Sequence, residues 1–216
     1  MTIGFSGAAN RKAPAEPAQA RRRPLQERSQ DRVQRILQAA AALVDTMPLD
    51  AITMAVIAKA AGASFSSIYR FFPSKEAIFE DVVIDHLDKL EREYENFFAR
   101  TESDNAGDLI DNAIDLYVAF VRREIGFKAL WLGWQPTQMI VERFRENNRT
   151  VAGLAMTFAT ARLGIAPSPE LDLRVAMAME ASTQLLRYAF TQRDFEQDRV
   201  IGELKRFLKT ALLMLT

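Results

Sequence analysis

The sequence predicts an all-α protein in two parts, a small N-terminal helical unit and a larger C-terminal one. Three observations carry this. From about Glu27 almost to the end, apolar residues recur at intervals of three and four, and no alternating strand pattern of useful length interrupts them. The gaps between those runs hold helix-stopping and helix-starting residues, among them Pro48, Gly62, Pro73, Pro136, Gly164 and Pro169. Net charge is zero over the 216 residues but unevenly spread: residues 1–75 hold eleven Lys or Arg against five Asp or Glu, a surplus of six that the rest of the chain balances. The asymmetry fits a nucleic-acid or anionic-surface contact near the N-terminus as well as it fits a solvated tail.

Residues 1–26 are rich in Ala, Arg, Pro and Gln without apolar periodicity, and read as a disordered basic arm. In the first helix Val33, Ile36, Leu37, Ala40, Leu43 and Val44 share a face, and Met47-Pro48 closes it. Thr53 is placed to cap a second helix over 54–61, with Met54, Ile57, Ala58 and Ala61 inward. Gly62 stops it. Ser64 caps a short third helix expected to run to Phe72, where Pro73 pushes its predecessor out of the α region. Ser74 caps a long fourth helix reaching about Phe98, with Glu76 favourably placed against the dipole of its first turn. Five more helices follow at about 106–123, 126–134, 137–163, 169–191 and 195–214. Gly164 is a C′ residue, Ser168-Pro169 an N-cap with proline at N1, and Asp194 with Gln197 resembles a capping box. Residues 27–80 and 81–216 are the expected domains.

Composition narrows the chemistry. There is no cysteine, so no disulfide or thiolate metal site, and His86 is the one histidine, expected as a surface or packing residue. No run approaches the roughly 18 apolar residues of a membrane span, and the N-terminus has no apolar segment of a secretory signal, so a cytoplasmic protein is expected. No Gly-rich phosphate loop, nucleophile–base pair or metal-ligand cluster stands out, and the acidic pairs Asp81/Asp85 and Glu91/Glu95 read as a solvated face. No enzyme, cofactor or metal is expected.

The stretch 57–72, IAKAAGASFSSIYRFF, carries the chemistry. Small Ala58 suits a close crossing of two helices, and Gly62 suits a turn where a left-handed backbone is cheap only without a Cβ. Ile57, Ala61, Ile68 and Phe71 or Phe72 then point back to the first helix. This is the spacing of a helix-turn-helix, whose second helix enters a DNA major groove by its N-terminal residues. Its head of serines supplies short hydroxyls, donor and acceptor at once, at the positive end of the helix dipole.

The run TMAVIAKAAGASFSSIYRFFPSKEAIF, 53–79, resembles the DNA-binding segment of the TetR family of bacterial transcriptional regulators. The elements that carry the resemblance are Ile57-Ala58, Ala61-Gly62, Ser64, Ile68-Tyr69, Phe72 and Ser74-Lys75-Glu76. It implies that Thr53 caps and touches a phosphate, that Ser64 caps and contacts DNA, and that Phe65, Ser66 and Ser67 reach bases. Tyr69 would grip the backbone and Lys75 another phosphate, with Arg70 nearby. Arg28, with Arg21, Arg22 and Arg23, is placed to reach a minor groove or adjacent phosphates. Position 65, often polar in the family, holds a phenylalanine here, whose only base contact is apolar, as with a thymine methyl.

The resemblance further implies a ligand-binding and dimerisation domain after residue 80, a palindromic double-stranded operator, and a homodimer through helices at about 169–191 and 195–214. Val200, Ile201, Leu204, Phe207, Leu208, Ala211, Leu212 and Leu215 form a stripe wide enough for a core and a partner together. Tyr117, Phe120, Phe127, Trp131, Trp134, Phe144 and Met177 are the large apolar residues expected around a pocket for a small apolar effector. A repressor released by that effector is the leading expectation, with an activator or ligand-blind regulator of the same fold as the alternative.

Overall fold

The computed structural model describes residues 18–213, with side chains from residue 29 onward. Among the described residues the protein is all helical: α1 (Ala18–Thr46), α2 (Met54–Ala60), α3 (Phe65–Tyr69), α4 (Lys75–Arg100), α5 (Ala106–Arg123), α6 (Phe127–Gly133), α7 (Gln138–Leu163), α8 (Pro169–Thr191) and α9 (Gln197–Leu213).

Local chemistry sets most of the boundaries. The hydroxyls of Thr53, Ser64, Ser74 and Ser168 each accept the backbone N–H three residues on, which satisfies one of the orphan donors at the start of α2, α3, α4 and α8. α2 ends in a Schellman motif, with Ala63 N–H donating to Ala58 and Gly62 N–H to Lys59. Gly62 holds φ +61°, and a Cβ there would meet nothing within 4 Å, so backbone conformation rather than space calls for the glycine.

Three expectations need correction. Residues 18–26, read as part of a disordered arm, belong to α1, which runs on through Pro24. Ala18, Gln19, Ala20 and Arg21 to Arg23 favour helix, whereas Pro24 removes one of its hydrogen bonds; residues 1–17 lie outside the described part. α3 ends at Tyr69 and not Phe72. The N–H that would bond to the Tyr69 carbonyl belongs to position 73, and Pro73 has none; Phe71 and Phe72 both donate to Ile68 instead. Finally, α9 begins at Gln197 without a cap from Asp194. The turn before it is closed by Gln192, whose side chain accepts from Phe195 N–H and donates to its carbonyl.

α1 packs on α2 and α4, and α2 on α3, around Ile36, Ala40, Ile57, Ile68, Phe72 and Ile78. α4 continues into the larger part, where it lies on α7 and α5, α7 on α8, and α9 on both α8 and α5. One apolar cluster runs through both parts, so α4 is a shared strut between them. The α5–α6 turn is the second junction. Gly126, at φ +81°, sits against α1 and donates its N–H to Asp45 at 2.9 Å. Next to it, the Ile125 carbonyl lies 3.1 Å from Nε2 of His86, while Nδ1 of the same ring lies 2.6 Å from the Val82 carbonyl. His86 is thus a buried packing residue, stacked on Phe127 and edge-on to Phe120.

Candidate nucleic-acid interface

α3 is too short to be stable alone and takes its order from the helices beneath it. Ile68 and Phe72 are buried against α1 and α2, and Ala58 is buried at the α2 side of the crossing. That anchoring turns the other face outward. Phe65 is 55% exposed and Tyr69 46% exposed, one turn apart with their rings edge to face at 4.9 Å. Two large aromatic side chains standing largely in water on a capped five-residue helix, packed edge-on against each other, suit a contact surface.

The serines divide the work. Ser64 caps α3 and lies 3.3 Å from Ser66 Oγ, and both are exposed. Ser67 is half-buried and accepts a hydrogen bond from the Arg32 guanidinium at 3.3 Å. Arg32 and Arg35, one turn apart on α1, border an open polar groove with Gly62, Ser64, Ser66 and Arg70. Neither arginine of α1 stood out in the sequence; the available signal was a basic pair at i, i+3 on the polar face of the helix. Arg70 also lies over the Phe71 ring at 4.9 Å. Arg32, Arg35 and Arg70, the last at the C-cap of α3, border one groove, and guanidinium groups can bind phosphate oxygens in bidentate fashion. The side chain of Arg28, like those of Arg21 to Arg23, lies outside the described residues.

Lys75 behaves differently from the expectation of a free phosphate contact. Its ammonium donates to the Leu49 carbonyl at 3.0 Å and the Ile52 carbonyl at 2.9 Å. These carbonyls belong to the α1–α2 connection, so Lys75 ties that loop to the start of α4. Lys75→Met is expected to lower stability by about 1.5–3 kcal/mol in urea unfolding, in line with hydrogen bonds to a charged group. A salt dependence of DNA binding flattened by about one unit, with stability unchanged, would return the ammonium to a phosphate.

Of the seven residues expected around an effector pocket, only Tyr117 lines the main apolar cavity, a space of about 160 Å³ among α4, α5, α7, α8 and α9. Phe120 and Phe127 are fully buried in the aromatic cluster around His86 and line none of the cavities described. Trp131, Trp134 and Phe144 border a neighbouring, more polar cavity together with Arg187. Met177 is 63% exposed on the outer face of α8. The reason is physical: large side chains fill space and small ones leave it, and the main cavity owes its room to Ala106, Ala113, Ala155, Ala159 and Ala178.

Burial pushes the phenols of Tyr94 and Tyr117, both at this cavity, well above their ordinary value, so both stay neutral. Behind the cavity wall, the Arg143 guanidinium 2.8 Å from Glu91 holds that carboxylate below its usual range, and the same oxygen accepts from the Asn147 amide at 3.2 Å.

A capped helix pair turned by a left-handed glycine, with an exposed aromatic and hydroxyl face beside three arginines, defines a helix-turn-helix DNA-binding protein. Residues 36–82 match the model of the bacterial regulatory proteins of the tetR family, and residues 104–215 match that of the tetracyclin repressor-like C-terminal domain. The chain belongs to the TetR family of transcriptional regulators. It is similar in fold to a TetR-family transcriptional regulator from Streptomyces coelicolor, with a TM-score of 0.65 at 22% identity over 84% of this chain and 97% of that one. A TetR regulator from Rhodococcus sp. RHA1 gives a TM-score of 0.61 at 20% identity, over 88% of this chain and all of that one (100%). Among curated proteins, the nucleoid occlusion factor SlmA of Marinomonas sp. (strain MWYL1) is 33% identical over 85 residues, 36% of this chain and 43% of that protein's length. The match thus spans less than half of that relative.

Proposed function

We propose that this regulator is a cytoplasmic, homodimeric repressor that binds a palindromic operator and leaves it when a small apolar molecule enters the interior cavity. The observation that carries the DNA-reading half is the outward α3 face, where Phe65 and Tyr69 stand exposed while Ile68 and Phe72 hold the helix to the core. Ser64 and Ser66 and the three arginines beside them serve the backbone and the neighbouring base edges, and Thr53, exposed at the head of α2, meets a phosphate on the other side. Ser67, committed to Arg32, orients that guanidinium and reads bases only through it.

The dimer is supported by the outer faces of α8 and α9, where Leu173, Met177 and Phe207 are exposed. Two heads so joined meet successive major grooves about 34 Å apart. Among the described residues no helix is long and apolar enough to cross a membrane.

Phe65 supplies the test. An apolar ring packs on a thymine methyl and satisfies neither the cytosine amine nor the guanine acceptors. Selection from random duplexes is expected to return a palindrome with T·A under Phe65. Phe65→Ala relaxes that one position by about 1–3 kcal/mol with the melting temperature unchanged. A variant that unfolds, or keeps the base preference, removes Phe65 from the reading surface.

A further inference from the structure

The interior cavity has a polar feature that its apolar lining does not call for. Asn147, on α7, is 4% exposed and lines the cavity. Its amide N–H donates to Glu91, and its carbonyl oxygen Oδ1 accepts no hydrogen bond among the described residues. The orientation is fixed from behind. A carboxylate bonded to Arg143 is ionised and can only accept, so the amide nitrogen must face Glu91 and Oδ1 must face away from it.

Most of the other polar side chains at the cavity already hold a hydrogen bond, Asn148 among them, its amide donating to Glu180 and Thr183. Tyr94 donates to the Ala113 carbonyl, and Ser182 and Thr183 both donate to the Met179 carbonyl. Tyr117 is the exception, its hydroxyl making no hydrogen bond among the described residues, while its ring packs edge-on to Trp131. The cavity therefore offers the unpaired acceptor Asn147 Oδ1, a second amide oxygen on half-buried Asn148, which lines this cavity and the neighbouring one, and one uncommitted hydroxyl, Tyr117. No Asp, Glu, Lys, Arg or His lines it.

We propose that this cavity takes a neutral, hydroxyl-bearing molecule of about one aromatic ring, which donates to Asn147 Oδ1 and accepts from the Tyr117 hydroxyl. Size, charge and polarity agree on this class. An apolar cavity of about 150 Å³ holds one benzene ring, and the space here is about 160 Å³. An ion would lose its hydration with no counter-charge in the lining, since Glu91 is already neutralised by Arg143. A purely apolar ring would leave the Asn147 carbonyl oxygen without a hydrogen bond. Arg143 and Glu91 act as positioning residues, keeping the acceptor turned to the ligand.

This class deepens the sensor function proposed above and rests on it only for its consequence at DNA. Calorimetric titration of the full chain with p-cresol, toluene and p-toluate tests it. The expected order is p-cresol tighter than toluene by about tenfold, the net worth of one or two hydrogen bonds, with p-toluate weakest. In Asn147→Leu, toluene still binds and the p-cresol advantage falls to about twofold or less; in Tyr117→Phe it falls by a smaller factor. If Asn147→Leu does not fold, the order on the unaltered protein decides. Equal binding of toluene and p-cresol, tighter binding of p-toluate, binding of none of the three, or an advantage retained in Asn147→Leu each overturns the proposal. Binding of p-cresol in the expected order without release of a selected operator would uphold the ligand class and sink the sensor function instead.

Discussion

Gly126→Ala is expected to destabilise the protein by about 2–5 kcal/mol, read as a lower urea midpoint. Two costs add. Gly126 sits at φ +81°, where an L side chain pays about 1–2 kcal/mol. A Cβ there would also stand 2.7 Å from the Ala41 carbonyl oxygen, 2.8 Å from the Ala41 Cα and 2.9 Å from Val44 Cγ2. Those atoms belong to α1, two of them to its backbone, so the turn would have to back away from the helix, at about the 1–3 kcal/mol of an overpacked core. Retreat would also stretch the bond from Gly126 N–H to Asp45 and disturb the Ile125 carbonyl beside His86. Because this turn is where the C-terminal part touches α1, the same change should loosen the DNA-binding unit. Gly153→Ala is the control. Gly153 lies inside α7 with nothing within 4 Å of an added Cβ, and there alanine should stabilise by about 0.5–1 kcal/mol. Similar effects at both sites would mean that the α5–α6 turn is not packed against α1 as described.

The pattern of legibility follows the range of the interactions. Helix starts at Met54, Phe65, Lys75 and Pro169 were readable because a Ser or Thr one residue earlier bonds only three residues onward. The outward aim of Phe65 was readable too, since Ile68 and Phe72 take the inward positions of the same short segment. The end of α3 was misjudged at short range, because Pro73 acts four residues back through the hydrogen bond it fails to make, not only on its neighbour. What involves distant partners was not legible. Lys75 reads as a free cation until the carbonyls of Leu49 and Ile52, 26 and 23 residues away, are seen around it. Arg32 and Arg35 became part of the site only when α1 was laid beside the head of α3. The cavity was the hardest of all, for it is defined by what alanines leave empty, and large aromatics at helical spacing point to the filled core.

The dimer prediction shows the same limit and gives the second large effect. In the α9 stripe, Ile201, Leu204 and Leu208 are buried within their own chain, so glutamate at 204 or 208 would unfold the subunit and say nothing about a partner; Leu215 lies outside the described residues. The large apolar residues that α8 and α9 leave most exposed are Leu173 and Met177 on α8, 62% and 63% exposed, and Phe207 on α9, 53% exposed. Leu173 and Met177 are four apart, and Tyr188, 45% exposed, continues their stripe three turns on. α8 packs closely on α9, so a second copy laid across this face would meet both helices and form the four-helix bundle expected of the pair. Met177→Glu with Phe207→Glu is therefore expected to give a folded monomer, with near-unchanged helicity and a sedimentation coefficient of half-sized species. Operator affinity should fall by about 100-fold or more, because the second head no longer binds at the high effective concentration that linkage provides. The single-head contact remains, so weak binding that ignores half-site spacing should persist. A double variant that sediments as a dimer and keeps its affinity would move the interface away from the outer face of α8 and α9.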